Sequence, residues 1–369
     1  MTAPTASSPR STAISARVRT GILSASLLLA VACSGPDTPE TGKADSATPA
    51  EPAGMVNVYS ARHYDSDDLL YAAFEEETGI EVRVREAGAA QLLETMKAEG
   101  ANSPADVILA ADAGTLWRFK DAGLTQPIGS DAVKAAIPER LRDPEDHWTG
   151  LAKRYRVIAY DPERFDAADV QSIEALADPK FEGEVCVRAS SNIYNLSLMG
   201  ELIERLGTEA AATWAEGVVN NFARQPRGGD TAQIEGIAAG ACGVAIVNHY
   251  YWVRLAESSS EAQREAAQGV ALSFASAGDG VHTNISGAAL AANAPNAEAA
   301  RQFIAYLASA DGQSRLVTET REVPIAEGAR RPDGLDRLPE TIDESTLPLS
   351  VLGENQAEAQ RLYDRAGWN

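Results

Sequence analysis

From Met55 onward, the apolar positions recur first with the period of a strand and then with that of a helix, in turn. The segments VNVYSA, EVRVRE and ADVILAA have strand patterns. Between and after them, QLLETMKAEG, TLWRFKDAG and a stretch with Leu70 and Phe74 on one face have helical patterns, with Gly79 and Gly123 as stop signals. Repeated strand–helix units predict a mostly parallel sheet with helices on both faces.

A second series of strand and helix patterns begins at HWTGLAKRYRVIAYD, an extended run that suits a crossover between two lobes. The segments FEGEVCVRAS and GVAIVN have strand patterns, whereas NLSLMGELIERLG and TEAAATWAEGVVNNF have helical ones. They predict a second α/β sheet. The later segments VHTNISGAALAA and AEAARQFIAYLASADGQSRLV are expected to return to the first lobe.

The N-terminus has the pattern of a targeting segment. Three arginines precede a short apolar run that ends in small residues before a cysteine: Arg10, Arg17, Arg19, the run from Gly21 to Ala32, and Cys33. The run is too short for a spanning helix. It resembles a lipobox, although Ala30 stands where Leu is more usual. Residues 1–32 are therefore interpreted as a lipoprotein signal peptide with lipidation at Cys33, and a plain secretory signal is the alternative.

The charge of the chain is strongly negative, with 32 Lys+Arg against 53 Asp+Glu, or −21. Removal of residues 1–32 deletes three arginines and no acids, so the exported form carries 29 − 53 = −24. A nucleic acid or an anionic lipid surface would be repelled by such a chain, and cations are the more natural partners. Residues 33–54 are rich in Pro, Ser, Thr and acids, which predicts a disordered tether.

Two cysteines remain if Cys33 carries a lipid. Cys186 and Cys242 each lie at or beside a predicted strand, in a compartment that permits oxidation. A disulfide forms between them only if the two strands are neighbours. Two inert buried thiols are the other interpretation.

Catalytic signatures are missing from the sequence: it has no GxGxxG, GxxxxGK[ST], HExxH, CxxC or GxSxG. Only four histidines are present, which disfavours a multi-histidine zinc or copper site. We therefore do not expect an enzyme.

Several tyrosines share one placement, directly after a predicted strand. Tyr64 follows the first strand, Tyr194 follows VCVRASSNI, and Tyr250 and Tyr251 follow VAIVNH. Ligands of open α/β sheets bind at the carboxyl ends of strands. A cleft between two lobes would therefore bring these four tyrosines and His63 around one ligand.

Four phenols and one imidazole suit a hard trivalent cation. Phenolate is an anionic oxygen donor, whereas zinc prefers nitrogen or sulfur, so ferric iron fits best. Four phenolates exceed the charge of Fe³⁺ by one, and Arg62 and Arg254 are the candidates to compensate it. Each tyrosine taken alone is also consistent with a half-buried core residue, and the pair Tyr250–Tyr251 with a packing wedge or a carbohydrate platform.

Several segments closely resemble the bacterial periplasmic ferric-ion-binding proteins: VNVYSARHYDSD, SPADVILAADAGTLWR, SSNIYN, NNFARQPRGGDT, VAIVNHYY, NISGAAL and YDRAGW. The similarity runs from about Met55 to the C-terminus. It implies a two-lobed periplasmic binding protein (type II) fold, each lobe a central mostly parallel sheet flanked by helices, with hinge strands. Lobe one is expected to comprise 55–155 plus 281–331, and lobe two 156–280 plus 332–369.

The resemblance also implies a metal site. In the subtype with a His-Tyr pair in the first loop, as in cyanobacterial iron-uptake proteins, the iron ligands correspond to His63, Tyr64, Tyr194, Tyr250 and Tyr251. A related subtype adds a synergistic anion, for which Ser190, Ser191 and Asn192 are candidates at a helix start. His249 departs from the family pattern and is interpreted as a residue near the site or a packing histidine.

The implied function is extracytoplasmic capture of Fe³⁺ and its delivery to the permease and ATPase of an ABC transporter. The chain is expected to be a monomer in the periplasm or at the cell surface, touching the membrane only through its lipid. Metal binding is expected to select a closed state of the two lobes. The alternative is a binding protein of the same fold for another small cargo, such as an anion, a polyamine or a sugar.

Overall fold

The computed structural model describes residues 54–62, 64, 66–274 and 280–369, and the predicted signal peptide and tether lie outside these ranges. Within them the chain forms ten strands: β1 (Gly54–Ser60), β2 (Ile80–Glu86), β3 (Val107–Ala110), β4 (Thr125–Gln126), β5 (Trp148–Tyr160), β6 (Val185–Cys186), β7 (Val244–Asn248), β8 (Ala271–Ser273), β9 (Thr283–Ala291) and β10 (Val323–Pro324).

The helices of the described residues lie between and after these strands, singly or in consecutive groups. They are α1 (Asp67–Thr78), α2 (Ala89–Glu99), α3 (Ala113–Asp121), α4 (Asp131–Ala136), α5 (Ile193–Leu206), α6 (Thr208–Asn220), α7 (Asp230–Ala238), α8 (His249–Ala256), α9 (Glu261–Gln268), α10 (Ala297–Ala308), α11 (Ala310–Thr320), α12 (Val351–Glu354) and α13 (Gln356–Ala366). Helix α1 ends where the sequence predicts, at Gly79, which adopts the left-handed conformation (φ 71°) that glycine tolerates.

The strands pair in the order β2-β1-β3-β9-β5-β7-β6. Pairing is parallel for β1 with β2, β1 with β3, and β6 with β7. Strands β9 and β5 run antiparallel to their neighbours. The arrangement is therefore more mixed than the mostly parallel sheets expected from the strand–helix repeats. The reason is that β5 and β9 are the connecting strands, which pass in opposite directions between the two halves of the molecule.

Strand β5 belongs to both halves. Its first part, Trp148 to Tyr155, pairs with β9, and its second part, Arg156 to Tyr160, pairs with β7. Its side chains are buried along nearly the whole length, as expected for a strand with protein on every side. The extended run predicted as a crossover is thus a single continuous strand.

Apolar side chains of the described residues form one core around the first half of the sheet and one on each face of the second half. The first core collects β1, β3, part of β5, β9 and helices α1, α3 and α10. Helices α5, α6 and α13 pack on one face of the second half, and α7 and α8 on the other. This packing divides the described residues into two lobes, which β5 and β9 connect.

The C-terminal segment contacts both cores. Leu349, Val351 and Leu352 lie in the first core, while Leu362 and Tyr363 of α13 lie in the second. The predicted boundaries of the lobes, at residues 155, 281 and 331, stay a prediction. Helix α12 is the element that does not fit them simply, because it packs between α3 and α5.

Close approach of α12 to its two neighbours depends on glycines. A Cβ added to Gly353 would meet Trp117 of α3 at 2.7 Å, and one added to Gly114 would meet the carbonyl oxygen of Leu352 at 2.7 Å. On α5, a Cβ at Gly200 would lie 3.2 Å from the carbonyl oxygen of Val351. These three glycines therefore allow α12 to pack closely against both α3 and α5.

Candidate metal centre

Tyr194 and Tyr250 meet at the carboxyl end of the second half of the sheet. Tyr194 lies in the first turn of α5 and Tyr250 in the first turn of α8, which begins directly after β7. The hydroxyl of Tyr250 donates to the hydroxyl of Tyr194 at 3.3 Å and faces Nδ2 of Asn248 at 3.2 Å. Both rings are buried, with 9% exposure for Tyr194 and none for Tyr250. Two oxygen donors therefore face each other without bulk water.

Tyr251 and Tyr64 complete a group of four phenols. The ring of Tyr251 stacks on that of Tyr250 with 4.5 Å between centroids. Tyr64 comes from the other half of the molecule, just beyond β1, and lies near enough to Tyr251 for that tyrosine to contribute to its raised pKa. Tyr194 and Tyr250 also interact electrostatically with Tyr64. The structure thus brings together the tyrosines that the sequence singled out.

Burial keeps these phenols protonated. Loss of water around the hydroxyl raises the pKa of Tyr64, Tyr194 and Tyr250 above the ordinary value for a phenol. It raises the pKa of Tyr251 to about 12, with neighbouring Tyr194 and Asp230 adding to the effect. A ligand that stabilises phenolate would reverse this preference.

A buried guanidinium faces the same group. Arg154 on β5 is 1% exposed, and its positive charge acts on Tyr250, Tyr194 and Tyr64. Its carbon Cζ stands over the ring of Tyr194 at 5.5 Å from the centroid. Nη2 of Arg154 pairs with Oε1 of Glu322 at 2.9 Å. The centre therefore has a fixed cation next to the place where phenolate charge would develop.

Two further arginines lie close to the ring of Tyr194. Arg156 stands over its ring at 5.9 Å and Arg188 at 5.3 Å. Both are tied to the fully buried carboxylate of Asp230, at 3.1 Å from Nη1 of Arg156 and 3.3 Å from Nη1 of Arg188. Asp230 also accepts from the backbone N–H of Asn248 at 2.8 Å, directly before α8. This network fixes the start of α8, which carries Tyr250 and Tyr251.

Arg62 and Arg254, the two arginines chosen from the sequence, differ in their surroundings. Arg62 is fully buried, binds Asp67 at 2.8 Å and lies 3.6 Å from Glu322. It stands over the ring of Tyr64 at 5.0 Å. Arg254 is exposed, and it lines a pocket of about 640 Å³ at the mouth of the site beside Tyr64 and Arg321. A compensating role for Arg62 and Arg254 stays a prediction.

His63 and Cys33 lie outside the described residues, so their roles as ligand and lipidation site stay predictions. His249 is fully buried, and its Nδ1 accepts from the backbone N–H of Tyr155 at 3.1 Å. Burial lowers the pKa of His249 to about 4, which keeps the ring neutral. His249 thus packs behind the tyrosines against the connecting strand.

The candidate anion site at Ser190, Ser191 and Asn192 leads into α5. Oδ1 of Asn192 accepts from the backbone N–H of Tyr194 at 3.1 Å and caps the helix. Ser190 is buried and Ser191 is exposed. Anion binding by these residues stays a prediction, and the cap already occupies one of the N–H groups that an anion would use.

The structure joins Cys186 and Cys242 in a disulfide, with their Cα atoms 5.9 Å apart. Cys186 ends β6, and Cys242 lies two residues before the neighbouring β7. The strands are therefore adjacent, as the disulfide interpretation of the sequence required.

Among the described residues, no three His, Cys, Asp or Glu side chains are grouped so that they could hold a metal ion. In the same ranges, no helix is both long enough and apolar enough to cross a membrane.

Sequence reasoning missed Arg154, Arg156 and Arg188. A signal for two of them was present in the run RYRVIAY, where charged residues alternate in a strand that is otherwise apolar. Alternation places Arg154 and Arg156 on one face of β5, and a charge that is buried in a strand must find a partner. Arg188 gave no comparable signal.

Residues 70–341 match the family described as bacterial extracellular solute-binding protein. Iron uptake protein A2 of Synechocystis is 44% identical over 316 residues, 85% of this chain and 90% of the relative. Among solved structures, Trichodesmium IdiA (FutA) in complex with iron and citrate is 42% identical with a TM-score of 0.81, covering 86% of this chain and 100% of that one. The ferric binding protein of Campylobacter jejuni is 34% identical with a TM-score of 0.81, covering 85% of this chain and 100% of that one.

The two solved structures cover 86% and 85% of the chain, and they confirm the two-lobed type II fold that the resemblance implied. The chain therefore belongs to the bacterial extracellular solute-binding proteins, in the group that contains the iron uptake proteins and the periplasmic ferric-ion-binding proteins.

Proposed function

We propose that this chain captures Fe³⁺ outside the cytoplasm and delivers it to the permease of an ABC transporter. The observation that carries the proposal is the convergence of Tyr64, Tyr194, Tyr250 and Tyr251 from both halves of the molecule beside the buried Arg154. The names of the relatives, an iron uptake protein and ferric-iron-binding proteins, agree with it.

The ligands of the iron are the four phenolate oxygens and the imidazole of His63. Phenolate is a hard anionic donor, and a trivalent ion stabilises it far more than a divalent ion does. Four phenolates and Fe³⁺ carry a net charge of −1, and the buried Glu322 adds a further negative charge. The guanidinium of Arg154 acts on the phenols at short range, and it shares Glu322 with Arg62. Arg62 and Arg254 add positive charge on the side of Tyr64.

Capture follows from closure of the two lobes. Tyr64 lies beyond β1 in the first half, whereas the other three tyrosines lie on α5 and α8 in the second. Iron that bridges both sets is bound more tightly by the closed state, so it shifts the population toward closure. Reduction to Fe²⁺ or protonation of the phenolates weakens the bonds and releases the ion.

An anion is a second component of the proposed cargo. The Trichodesmium structure contains iron and citrate. Arg254 and Arg321 line the pocket outside Tyr64 together with Glu257 and Glu319. Because Arg321 is paired with Glu257, Arg254 is the cation there that we propose for a carboxylate that arrives with the iron. Ser190, Ser191 and Asn192 are the alternative contact.

The setting of the protein completes the proposal. Residues 1–32 direct export, Cys33 carries the lipid, and residues 33–54 tether a monomeric binding protein to the membrane. The closed lobes dock on a permease and its ATPase. The relatives are transport proteins, and we propose that this chain likewise has no catalytic activity.

The visible spectrum tests the proposed function. Ferric citrate added to the metal-free mature protein should produce an intense phenolate-to-iron charge-transfer band. The band should weaken in Tyr250→Phe and Tyr251→Phe. Tyr306→Phe is the matched control, because this tyrosine packs against Phe74 in the first core, away from the cluster.

A colourless wild-type protein would contradict ferric binding at these residues. It would favour a cargo other than iron, such as a small anion, and isothermal titration with citrate alone would then identify it. A band of equal intensity in all the variants would show that iron binds elsewhere on the protein.

A further inference from the structure

The helix that carries Tyr194 makes a hydrogen bond that the iron site does not account for. Oγ of Ser197, on α5, donates to Oδ2 of Asp112 at 2.7 Å. Ser197 has no exposed surface and Asp112 has 1%. The two residues are 85 positions apart in the chain. A serine inside a helix more often bonds to the carbonyl four residues before it or to solvent, so this partner is unusual.

The bond joins the two cores. Asp112 caps the N-terminus of α3, whose Ala113 and Leu116 belong to the first core. Ser197 lies on α5, whose Leu198 and Leu202 belong to the second core. The hydrogen bond between Asp112 and Ser197 therefore spans the contact between the two halves.

The carboxylate of Asp112 is held rigidly from its own side. Oδ1 accepts from the backbone N–H of Thr115 at 3.0 Å, and Oδ2 accepts from Nδ2 of Asn284 at 2.7 Å. Oδ1 of Asn284, on β9, accepts in turn from the backbone N–H of Ala113 at 2.9 Å. The acceptor is thus fixed before Ser197 arrives, and little conformational entropy is lost when the bond forms.

One face of α5 presents three contacts in succession. Tyr194 faces the iron site, Ser197 is one turn further along, and Glu201 follows another turn on, where Oε2 lies 2.5 Å from Nδ1 of His282. His282 stands at the entry to β9, and its carbonyl accepts from the backbone N–H of Arg156. Of these three residues, Ser197 is the one that bonds to a residue of α3 in the first half, and Gly200 beside it packs against Val351 of the first core.

We infer that Ser197 and Asp112 form a latch that holds the lobes closed and keeps Tyr194 in position for iron. This inference deepens the proposed function and rests on it. Neither residue touches the phenols in the described contacts, so both act as positioning residues. Opening would expose both groups to water, and a hydrogen bond to a charged acceptor is replaced only in part by bonds to water.

The test is the rate of iron release from the full-length mature protein. Iron-loaded wild type and Ser197→Ala are mixed with an excess of a strong chelator, and decay of the charge-transfer band is followed. Loss of one hydrogen bond to a carboxylate should speed release about tenfold. The wavelength of the band should stay unchanged, because the ligands themselves are intact.

Ser103→Ala is the matched control. The hydroxyl of Ser103 donates to Oε2 of Glu99 at 2.8 Å, so the substitution removes the same kind of bond within the first half of the molecule. Its release rate should equal that of wild type. A Ser197→Ala rate within twofold of both proteins, or a shift of the band, would overturn the latch.

A second measurement separates the latch from the proposed function. Small-angle scattering of the iron-free proteins should give a larger radius of gyration for Ser197→Ala than for wild type and Ser103→Ala. Equal radii in all three would contradict a latch. A wild-type protein that stays colourless with ferric citrate contradicts the proposed function alone. The radii of gyration then show independently whether Ser197 and Asp112 hold the lobes closed.

Discussion

Each tyrosine of the cluster must lose a proton before its oxygen can bind iron. Because burial raises the pKa of all four phenols, and that of Tyr251 to about 12, they are protonated at neutral pH. Iron binding should therefore release about one proton for each phenol that becomes a ligand. Affinity should rise with pH by about tenfold per unit for each of these protons.

Counting the released protons checks this expectation. Weakly buffered protein is titrated with a ferric chelate, and the protons released per iron are corrected for the chelate itself. Tyr251→Phe should release about one fewer than wild type, whereas Tyr306→Phe should match wild type. The same count in Tyr251→Phe and wild type would remove Tyr251 from the ligand set.

His249 gives the stability of the protein a pH dependence. Its pKa falls from 6.5 to about 4 because burial disfavours the charged ring. Below pH 6.5 the unfolded chain binds a proton that the folded chain does not, so the free energy of unfolding decreases as the pH falls to about 4. The loss is about 3 kcal/mol at most.

Urea unfolding at pH 7 and pH 5 measures this effect. His249→Gln should show a smaller difference between the two pH values than wild type, since Gln does not titrate there. His147→Gln is the control, because His147 is half-buried in the first half, where its Nδ1 is bonded to the hydroxyl of Thr125. An unchanged pH dependence in His249→Gln would show that other groups cause it.

At the scale of single residues, the sequence predicted which tyrosines come together but not the residues that surround them. A tyrosine after a strand can be recognised from pattern alone, because the carboxyl ends of strands meet in space. Arg154 could not be assigned, since its place beside three phenols depends on how β5 passes between the halves. The same holds for the contact of Ser197 with Asp112, which joins residues that no local pattern relates.

Among the elements, α12 is closely packed on both sides. It is a single turn whose Gly353 lies against Trp117, so a side chain there cannot be accommodated without a shift of backbone or ring. Gly353→Ala should lower the free energy of unfolding by about 1–3 kcal/mol through overpacking.

The matched change is Gly269→Ala at the end of α9. A Cβ there would find its nearest neighbour at 3.8 Å, and the backbone has a right-handed conformation. Its unfolding free energy in urea should equal or slightly exceed that of wild type. A loss as large as that of Gly353→Ala would contradict the steric explanation.

The strands and helices of the first half follow the sequence pattern closely. The segments VNVYSA and EVRVRE contain most of β1 and β2, ADVILAA contains all of β3, and TLWRFKDAG contains most of α3. The direction of pairing did not follow, because β9 enters between β3 and β5 and runs against both. Periodicity reports which face of a strand is buried but not which neighbour it pairs with.

For the molecule as a whole, the two halves should unfold in one transition. The first core needs Val351 and Leu352, which the chain reaches only after it has built most of the second half. The first core is incomplete without Val351 and Leu352, and the same C-terminal segment continues into the second core through α13. Unfolding of one half would therefore expose apolar side chains of both cores.

Native-state hydrogen exchange measures this cooperativity. The amides of β1 and β7 should give the same free energy of opening and the same dependence on denaturant. Amides of α9, an exposed helix at the edge of the second half, should exchange earlier through local opening. A distinctly lower free energy for β7 than for β1 would show that the halves unfold separately.

The passage of the C-terminal segment through both cores also determines when this protein can fold during its synthesis. A domain built from continuous sequence folds as soon as it leaves the ribosome. Here the first core lacks Leu349, Val351 and Leu352 until synthesis has passed the strands of both halves. A nascent chain without those residues has no finished domain, and it therefore remains threadable through an export channel until they have been made.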